Sequence, residues 1–211
     1  IQMRMYAVYH QKDAETYFQS EDLLQFAEFT HQDTLIQMRP YYITLDLIEP
    51  GMREFLLLTP LLPYERDNLR ALGVVRSDGD NYGDIIFYTF PKGSQVYGPP
   101  QINALISQNT DIAQSITLWN QQGSEVKRGK MIILPIDGRI IYIQPFYMES
   151  SGVLRIPQLK RVIVSVDEHV VMDISVEKAM RRIHEKLAGE EVPLFEEVGD
   201  GNMSADEETP N

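Results

Sequence analysis

The sequence contains no cysteine, which excludes disulfide bonds, thiolate metal sites and cysteine nucleophiles. It has no continuous run of apolar residues long enough for a helix that spans a bilayer. Basic residues are scarce, with 19 Lys and Arg against 31 Asp and Glu, and they form no stripe along the chain. Because nucleic-acid affinity comes mainly from Lys and Arg that displace counterions, we expect no nucleic-acid partner.

Signatures of known catalytic and metal sites are also missing. The histidines are far apart and show no zinc-site spacing: His10, His31, His169 and His184. No Gly-x-Ser-x-Gly nucleophile motif occurs. The stretch Gly123–Lys130 resembles a phosphate loop, but its glycines are too far apart and Met131 stands where Ser or Thr would bind magnesium. The sequence therefore assigns no catalytic residue, although carboxylates that meet only in space are not visible in it.

The composition is that of a globular domain followed by an acidic tail. Hydrophobic residues make up 43% of the 211 residues and charged residues 24%. The last 22 residues, 190–211, hold eight acidic residues and no Lys or Arg, so most of the net charge of −12 lies there. We predict a folded domain over 1–189 and a disordered tail over 190–211. Since the chain begins at Ile1 in the middle of an apparent element, we expect it to be a piece of a longer protein.

Alternating apolar residues and turn signals predict an antiparallel sheet over 41–59, 84–90, 131–148 and 160–174. In the first segment, Glu49-Pro50-Gly51-Met52 predicts a type II turn between two strands. The strongest local pattern is Asp137-Gly138 between two apolar, β-branched runs, which is typical of a type I′ hairpin with both faces buried.

Helices are predicted over 63–72, 99–107, 111–119 and 175–188, and irregular structure with short helices over 1–40. Pro63 and Gly73 suit the two ends of the first helix. Ser175 is a typical N-cap of the last, which carries an apolar stripe and ends at Gly189. The predicted fold class is α+β, because hairpin-connected strands do not form a doubly wound parallel sheet.

A candidate metal site lies in the turn before the second strand segment. Asp78, Asp80 and Asp84, with Gly83 between them, resemble the first half of a calcium loop. Thr89 stands where such a loop has its bidentate Glu, so Ca²⁺ binding requires more distant carboxylates. The alternative interpretation is a solvated turn.

A candidate binding surface combines amides and aromatics. Tyr97 and Gln101 flank a Gly-Pro-Pro step, and Trp119, Asn120 and Gln121 end the third predicted helix. Such groups are suited to line a carbohydrate or peptide groove, with Trp119 as a stacking face. The alternative is that Trp119 belongs to the core and the amides satisfy loop backbone.

At these clusters the sequence resembles the UPF0182 family of uncharacterised bacterial membrane proteins. The resemblance covers about residues 4–180 and rests on motifs in the same order, among them YHQKDAETYFQSEDL, RSDGDNYGDIIFYTFPKGSQVYGP, YGPPQI, LWNQQGSEVKRG and LPIDGRIIYIQPFYM. The chain departs from the family pattern at Asn103 and Leu105, where the family tends to carry Glu and Arg. It departs again at Asn109-Thr110, where the family tends to carry Asp-Pro.

The resemblance implies N-terminal transmembrane helices, absent from this chain, followed by a large extracytoplasmic region without an established activity. It supplies no catalytic residue. The expected function is an interaction or scaffold domain at the bacterial envelope, with a protein or glycan partner and no cofactor other than Ca²⁺. The alternative is an envelope hydrolase that acts on glycan or peptide through paired carboxylates.

Overall fold

A computed structural model describes residues 2–9, 15, 23–31, 34–91, 95–121, 123–150, 155–188 and 196–198. In chain order the helices are α1 (Gln2–Tyr9), α2 (Pro99–Gln108), α3 (Thr110–Trp119) and α4 (Val176–Leu187). The strands are β1 (Leu24–Phe26), β2 (Glu28–His31), β3 (Thr34–Gln37), β4 (Tyr41–Leu45), β5 (Glu54–Pro63), β6 (Ala71–Arg76), β7 (Ile85–Thr89), β8 (Ser124–Arg128), β9 (Ile132–Ile136), β10 (Arg139–Ser150), β11 (Gln158–Val166), β12 (His169–Asp173) and β13 (Glu196–Val198).

The first sheet is built around β5. Within the described residues its order is β1, β5, β6, β7 and β13, and β4 pairs with the same edge of β5 as β1 does. Every pair is antiparallel. Strands β4 and β5 confirm the predicted hairpin. Its turn has Gly51 at φ 83°, and the Met52 N–H donates to the Glu49 carbonyl at 3.0 Å, as in a type II turn.

The second sheet is built around β10, with the order β12, β11, β10 and β8, and with β9 on the same edge of β10 as β8. The predicted hairpin joins β9 to β10. Asp137 and Gly138 have φ of 48° and 73°, the positive values that a type I′ turn requires. Between β8 and β9 the chain leaves the ladder at Gly129, whose N–H donates to the Pro145 carbonyl at 2.7 Å.

A shared core joins the two sheets. It contains Leu62 and Leu72 of the first sheet, Ile133, Tyr142 and Phe146 of the second, and Ile102 and Ile112 of the two adjacent helices. Two smaller clusters cover outer faces. Ala179 and Ile183 of α4 pack on the second sheet, and Ala7 of α1 packs on the first. The fold is therefore α+β with mainly antiparallel sheets, as predicted.

Three of the predicted helices are confirmed as α2, α3 and α4. Asn109 caps α3, because its Oδ1 accepts from the Ile112 N–H at 3.2 Å. Ser175 caps α4 in the same way, with its Oγ accepting from the Lys178 N–H at 3.3 Å. Within the described ranges, none of the helices has the length and apolarity needed to cross a membrane.

The helix predicted over 63–72 is wrong. Strand β5 continues to Pro63, Glu65 turns the chain with φ of 58°, and β6 begins at Ala71. The Arg70 N–H donates to the Leu61 carbonyl at 2.9 Å, a hydrogen bond between the two arms of a hairpin. The two residues that suggested the ends of a helix belong to strands instead, since Pro63 ends β5 and Gly73 lies within β6. Burial and pairing therefore override the local helix signals.

Three other regions differ from expectation. Residues 24–37 form the strands β1 to β3 rather than short helices, and residues 16–22 lie outside the described residues. Strand β8 lies within the stretch Gly123–Lys130, for which no strand was predicted. In the acidic tail, Glu196–Val198 pairs with Phe87–Thr89, whereas the rest of 189–211 lies outside the described residues.

Candidate functional site

Tyr97 and Gln101 lie at the start of α2, where their polar groups bond to nearby protein atoms. The Gln101 Oε1 accepts from the Gly98 N–H at 2.9 Å, and its Nε2 donates to Asn68 Oδ1 at 3.0 Å. The carbonyl of Tyr97 accepts from the hydroxyl of Tyr142. Gln101 therefore fixes the beginning of the helix, which satisfies backbone groups that would otherwise lack partners.

Trp119, Asn120 and Gln121 lie together at the end of α3. The Asn120 Oδ1 accepts from the Val126 N–H at 2.7 Å and so ties the helix end to β8. The half-buried Trp119 ring has the Arg161 guanidinium 5.5 Å from its centroid. Gln121 is exposed. The five predicted binding residues thus form two groups with structural contacts of their own, and a binding role for them stays a prediction.

Asp78, Asp80 and Asp84 are exposed in the turn between β6 and β7. The Asp78 Oδ2 accepts from the Phe55 N–H at 3.0 Å, which joins this turn to β5. In the part of the chain that the structure describes, no group of three or more His, Cys, Asp and Glu side chains is placed to hold a metal ion. The geometry therefore adds no support to the calcium hypothesis.

A buried ion cluster lies beside this turn. Arg76 is 7% exposed and Glu54 is 3% exposed. The Arg76 Nε donates to Glu54 Oε1 at 2.8 Å, and its Nη2 lies 3.1 Å from Glu49 Oε1. Since Glu54 accepts from an arginine inside the sheet, it is placed to hold β5 against β6 rather than to act on a substrate.

The structure contains a groove that the sequence did not reveal. We call it the β4–β9 groove, because one wall is the stretch 36–43 that leads into β4 and the other is formed by 130–132, Pro145 and Tyr147 beside β9. It encloses about 550 Å³, within the usual range for a ligand site. Ile36 and Tyr42 on the first wall are 40% and 61% exposed. The groove is therefore an open, mainly apolar surface.

The described lining of the groove has basic groups and no acidic ones. Arg39 and Lys130 both line it, and both are exposed. Neither makes an ion pair within the described residues. Its described lining contains no Asp, Glu, His, Ser, Thr or Cys. This surface can attract an anion, but it offers no carboxylate or imidazole for general acid–base chemistry.

Tyr41 holds the two walls together. Its hydroxyl accepts from the Ile133 N–H at 3.0 Å and donates to the carbonyl of the same residue. Burial raises the pKa of the Tyr41 hydroxyl well above its ordinary value, although the hydrogen bond to Ile133 acts in the opposite direction. The hydroxyl therefore keeps its proton and remains a donor.

The same contact closes the outer edge of β9. In a two-residue hairpin, the backbone N–H and C=O groups of the residues next to the loop point toward the partner strand, and this direction alternates along the strand. The backbone groups of Ile133 and Pro135 therefore point away from β10. Tyr41 binds both backbone groups of Ile133, and Pro135 has no N–H. Because this edge is protected, side chains in the groove must provide any binding there.

Lys130 owes its position to the glycine before it. A Cβ at Gly129 would lie 2.6 Å from Pro145 Cγ and 2.9 Å from Tyr147 Cε2. Only glycine lets the backbone pass this close to the groove wall. Lys130 follows Lys127 and Arg128 closely in the sequence, so a local group of basic residues marks its position. Arg39 gave no comparable signal, because its relation to Lys130 depends on tertiary contacts.

Two carboxylates of the described residues are unsuited to the hydrolase alternative. A hydrogen bond from Lys127 lowers the pKa of Glu125, and a backbone hydrogen bond from Ile174 lowers that of Asp173. A glycosidase general acid needs the opposite shift, which keeps the carboxyl protonated. These two residues are therefore poor candidates for that role.

Comparison with known proteins identifies relatives. Residues 1–119 match the family model described as "Uncharacterised protein family (UPF0182)". A UPF0182 protein of Syntrophobacter fumaroxidans is 52% identical over 187 residues, which cover 89% of this chain and 21% of that protein. Another, from Nitrosococcus oceani, is 44% identical over 190 residues, 90% of this chain and 22% of that protein. The chain thus spans about a fifth of the length of these curated relatives. No solved structure matches it.

Proposed function

Because the chain belongs to the UPF0182 family, whose description assigns no activity, we propose its function from the β4–β9 groove. It is an interaction domain that binds a protein segment rich in acidic and apolar side chains. The observation that carries this proposal is that two exposed cations in an apolar groove, Arg39 and Lys130, have no ion-pair partner among the described residues.

Charge and shape support this class of partner. The chain carries 31 acidic residues, yet none pairs with Arg39 or Lys130 within the described part of the chain. Apolar groups of a bound segment would contact exposed side chains such as Tyr42 and Ile36, while its carboxylates would reach the two cations. The described lining has no carboxylate or imidazole, the side chains most often used in acid–base catalysis, and this favours binding over catalysis.

A peptide titration tests the groove. The probe is a fluorescent peptide that alternates glutamate with leucine and phenylalanine, and its control carries lysine in place of glutamate. Fluorescence anisotropy with the full chain should detect binding of the acidic peptide. Replacement of both groove cations, Arg39→Ala with Lys130→Ala, should weaken it about tenfold or more, since each charge-assisted hydrogen bond contributes about 1.5–3 kcal/mol.

The matched control removes two exposed cations outside the groove, Arg66→Ala with Lys186→Ala. This variant should bind as the unmodified chain does. Equal affinity for the acidic and basic peptides, or unchanged binding after loss of Arg39 and Lys130, would overturn the proposal. If the peptide does not bind and decanoic acid binds with the same dependence on Arg39 and Lys130, the partner is a lipid acid rather than a protein.

We further propose that this domain is the extracytoplasmic part of a multi-pass bacterial membrane protein and acts there as a scaffold. The resemblance and the much greater length of the relatives support this arrangement. Reporter fusions to the C-terminus of the full-length protein test it, with one reporter active only outside the cytoplasm and one active only inside. Activity of the cytoplasmic reporter alone would contradict the proposed location.

A further inference from the structure

Two arginines lie in one row across the second sheet. In β10, Phe146 is directly opposite Arg128 of β8 on one side and Arg161 of β11 on the other. Residues directly opposite each other in antiparallel strands point to the same face. The three side chains therefore share a face, and the Cα atoms of the two arginines are about 10 Å apart, two strand spacings. We call this set the arginine row.

Aromatic rings, rather than carboxylates, accompany both guanidinium groups. The Arg128 guanidinium lies 5.4 Å from the centroid of the Phe146 ring, and that of Arg161 lies 5.5 Å from the Trp119 ring. Both arginines are half-buried, and neither makes an ion pair within the described residues. Aromatic faces support a guanidinium but leave its N–H edges available to a ligand.

Most of these N–H donors lack a protein acceptor. The Arg128 Nη2 donates to Ser107 Oγ at 3.2 Å, and the Arg161 Nη1 donates to the Lys160 carbonyl at 2.8 Å. Beyond these bonds, the described residues provide no acceptor for either group. Burial also lowers the pKa of Arg128, which is consistent with a partly desolvated cation without a counter-ion. An oxyanion would supply both the missing acceptors and the missing charge.

We propose that the arginine row binds a phosphate group, through bidentate hydrogen bonds from Arg128 and Arg161. A phosphate monoester carries nearly two negative charges at neutral pH, which matches the two guanidinium groups. The site is separate from the β4–β9 groove. Pro145 and Tyr147, which line the groove, flank Phe146 in β10 and so point to the opposite face of the sheet.

Calorimetric titration of the full chain with inorganic phosphate at low ionic strength tests this proposal. Saturable binding is expected, and Arg128→Gln or Arg161→Gln should each weaken it about tenfold, since a charge-assisted hydrogen bond contributes about 1.5–3 kcal/mol. Arg128→Lys keeps the charge but loses the planar fork, so its affinity should lie in between. The matched control is Arg181→Gln, at an exposed arginine of α4, and should not change binding.

Vesicles distinguish the two sources of a phosphate group. The chain is sedimented with phosphatidylcholine vesicles that contain phosphatidic acid and, separately, with pure phosphatidylcholine vesicles. Co-sedimentation with the first kind only, together with its loss in both Gln variants, would identify a lipid headgroup as the ligand. Binding of free phosphate without vesicle binding would identify a soluble phosphorylated ligand. If the chain binds neither free phosphate nor the vesicles, or if Arg128→Gln, Arg161→Gln and Arg181→Gln bind phosphate equally well, the proposal is overturned.

Two further measurements separate a binding role from a structural one. The groove variant with Arg39→Ala and Lys130→Ala should bind phosphate normally, because the groove is on the other face of the sheet. Thermal unfolding without phosphate should show midpoints for Arg128→Gln and Arg161→Gln close to that of the unmodified chain. If both variants unfold far earlier, and Arg128→Lys restores stability without restoring phosphate binding, the arginines are structural and the proposal fails.

Discussion

Arg76 and the arginine row show two ways in which this acidic protein places guanidinium groups. Arg76 is almost completely buried and bonds to Glu54, which is buried as well. Arg128 and Arg161 are half-buried beside aromatic rings and have no carboxylate partner in the described part of the chain. The first arrangement pairs its charges within the fold, whereas the second, among the described residues, leaves them unpaired and open to the proposed phosphate.

This difference follows from the surrounding residues. Arg76 ends β6 next to two turns that supply Glu49 and Asp78, so acidic groups are close by. The arginine row lies where α2 and α3 pack on the second sheet, and its neighbours Phe146 and Trp119 are aromatic. Among the described residues no acidic group neutralises the second pair, a role that the proposed phosphate would fill. Burial of an arginine therefore does not indicate its role until its partners are known.

The largest effect is expected from Glu54→Ala. This change leaves the Arg76 charge buried without its main partner, so the free energy of unfolding should fall by about 3 kcal/mol or more. Urea denaturation followed by circular dichroism measures it. Glu49→Ala is the control, because Glu49 is half-exposed and its loss should have a much smaller effect. Equal losses in the two variants would contradict the structural role of the buried pair.

Replacement of both members of the pair should be milder. The double variant Glu54→Leu with Arg76→Met removes the buried charges together and fills their space with apolar atoms. Its unfolding free energy should lie at least about 1 kcal/mol above that of Glu54→Ala. The same denaturation experiment tests this, and a double variant that is no more stable than Glu54→Ala would show that packing, not charge, explains the loss.

A smaller effect is expected at the arginine row. Arg128→Gln and Arg161→Gln each lose one cation–π contact, so the free energy of unfolding should change by about 1 kcal/mol or less. Urea denaturation in phosphate-free buffer measures the change directly. If either variant loses as much stability as Glu54→Ala, the contrast between the two kinds of arginine disappears.

The smallest effect concerns the pair of half-buried Asp173 and exposed Arg182, whose charged atoms are 3.2 Å apart. The hydrogen bond from the Ile174 N–H, together with Arg182, lowers the pKa of Asp173 in the folded protein. The unfolded chain therefore binds the proton more tightly. This contribution is present above the unfolded pKa of about 3.9 and is lost as pH falls through the lower folded pKa.

Thermal unfolding between about pH 5 and pH 2 tests this, because carboxylate titration dominates acid destabilisation there. The unmodified chain should lose slightly more stability over that range than Asp173→Asn, which cannot titrate at this position. Identical pH profiles would show that the pair makes no measurable contribution.

The parts of the fold that follow from local chemistry were predictable. Asp137-Gly138 requires a type I′ turn and thus fixes the β9–β10 hairpin, and Ser175 with an apolar stripe fixes α4. The stretch after Pro63 was not predictable, because Pro63 and Gly73 suit the ends of a helix but can equally lie in two buried strands. Only pairing between β5 and β6 decides between them.

Neither candidate site was predictable from local sequence. The arginine row depends on the pairing of Arg128 with Phe146, and β8 carries too many charged residues to indicate a strand. Arg39 and Lys130 are far apart in sequence. They line the same groove because Tyr41 binds the backbone of Ile133. Both sites arise from tertiary contacts between segments that carry no motif of their own.

The most direct test of the contrast is an NMR titration that follows the arginine Nε–H signals as inorganic phosphate is added. The Arg76 signal should exchange slowly with water and should not move, because its Nε–H already donates to Glu54. The signals of Arg128 and Arg161 should shift together and saturate, while that of exposed Arg181 should show only weak, non-saturating change. The contrast fails if Arg128 and Arg161 respond as Arg181 does, or if Arg76 shifts with them.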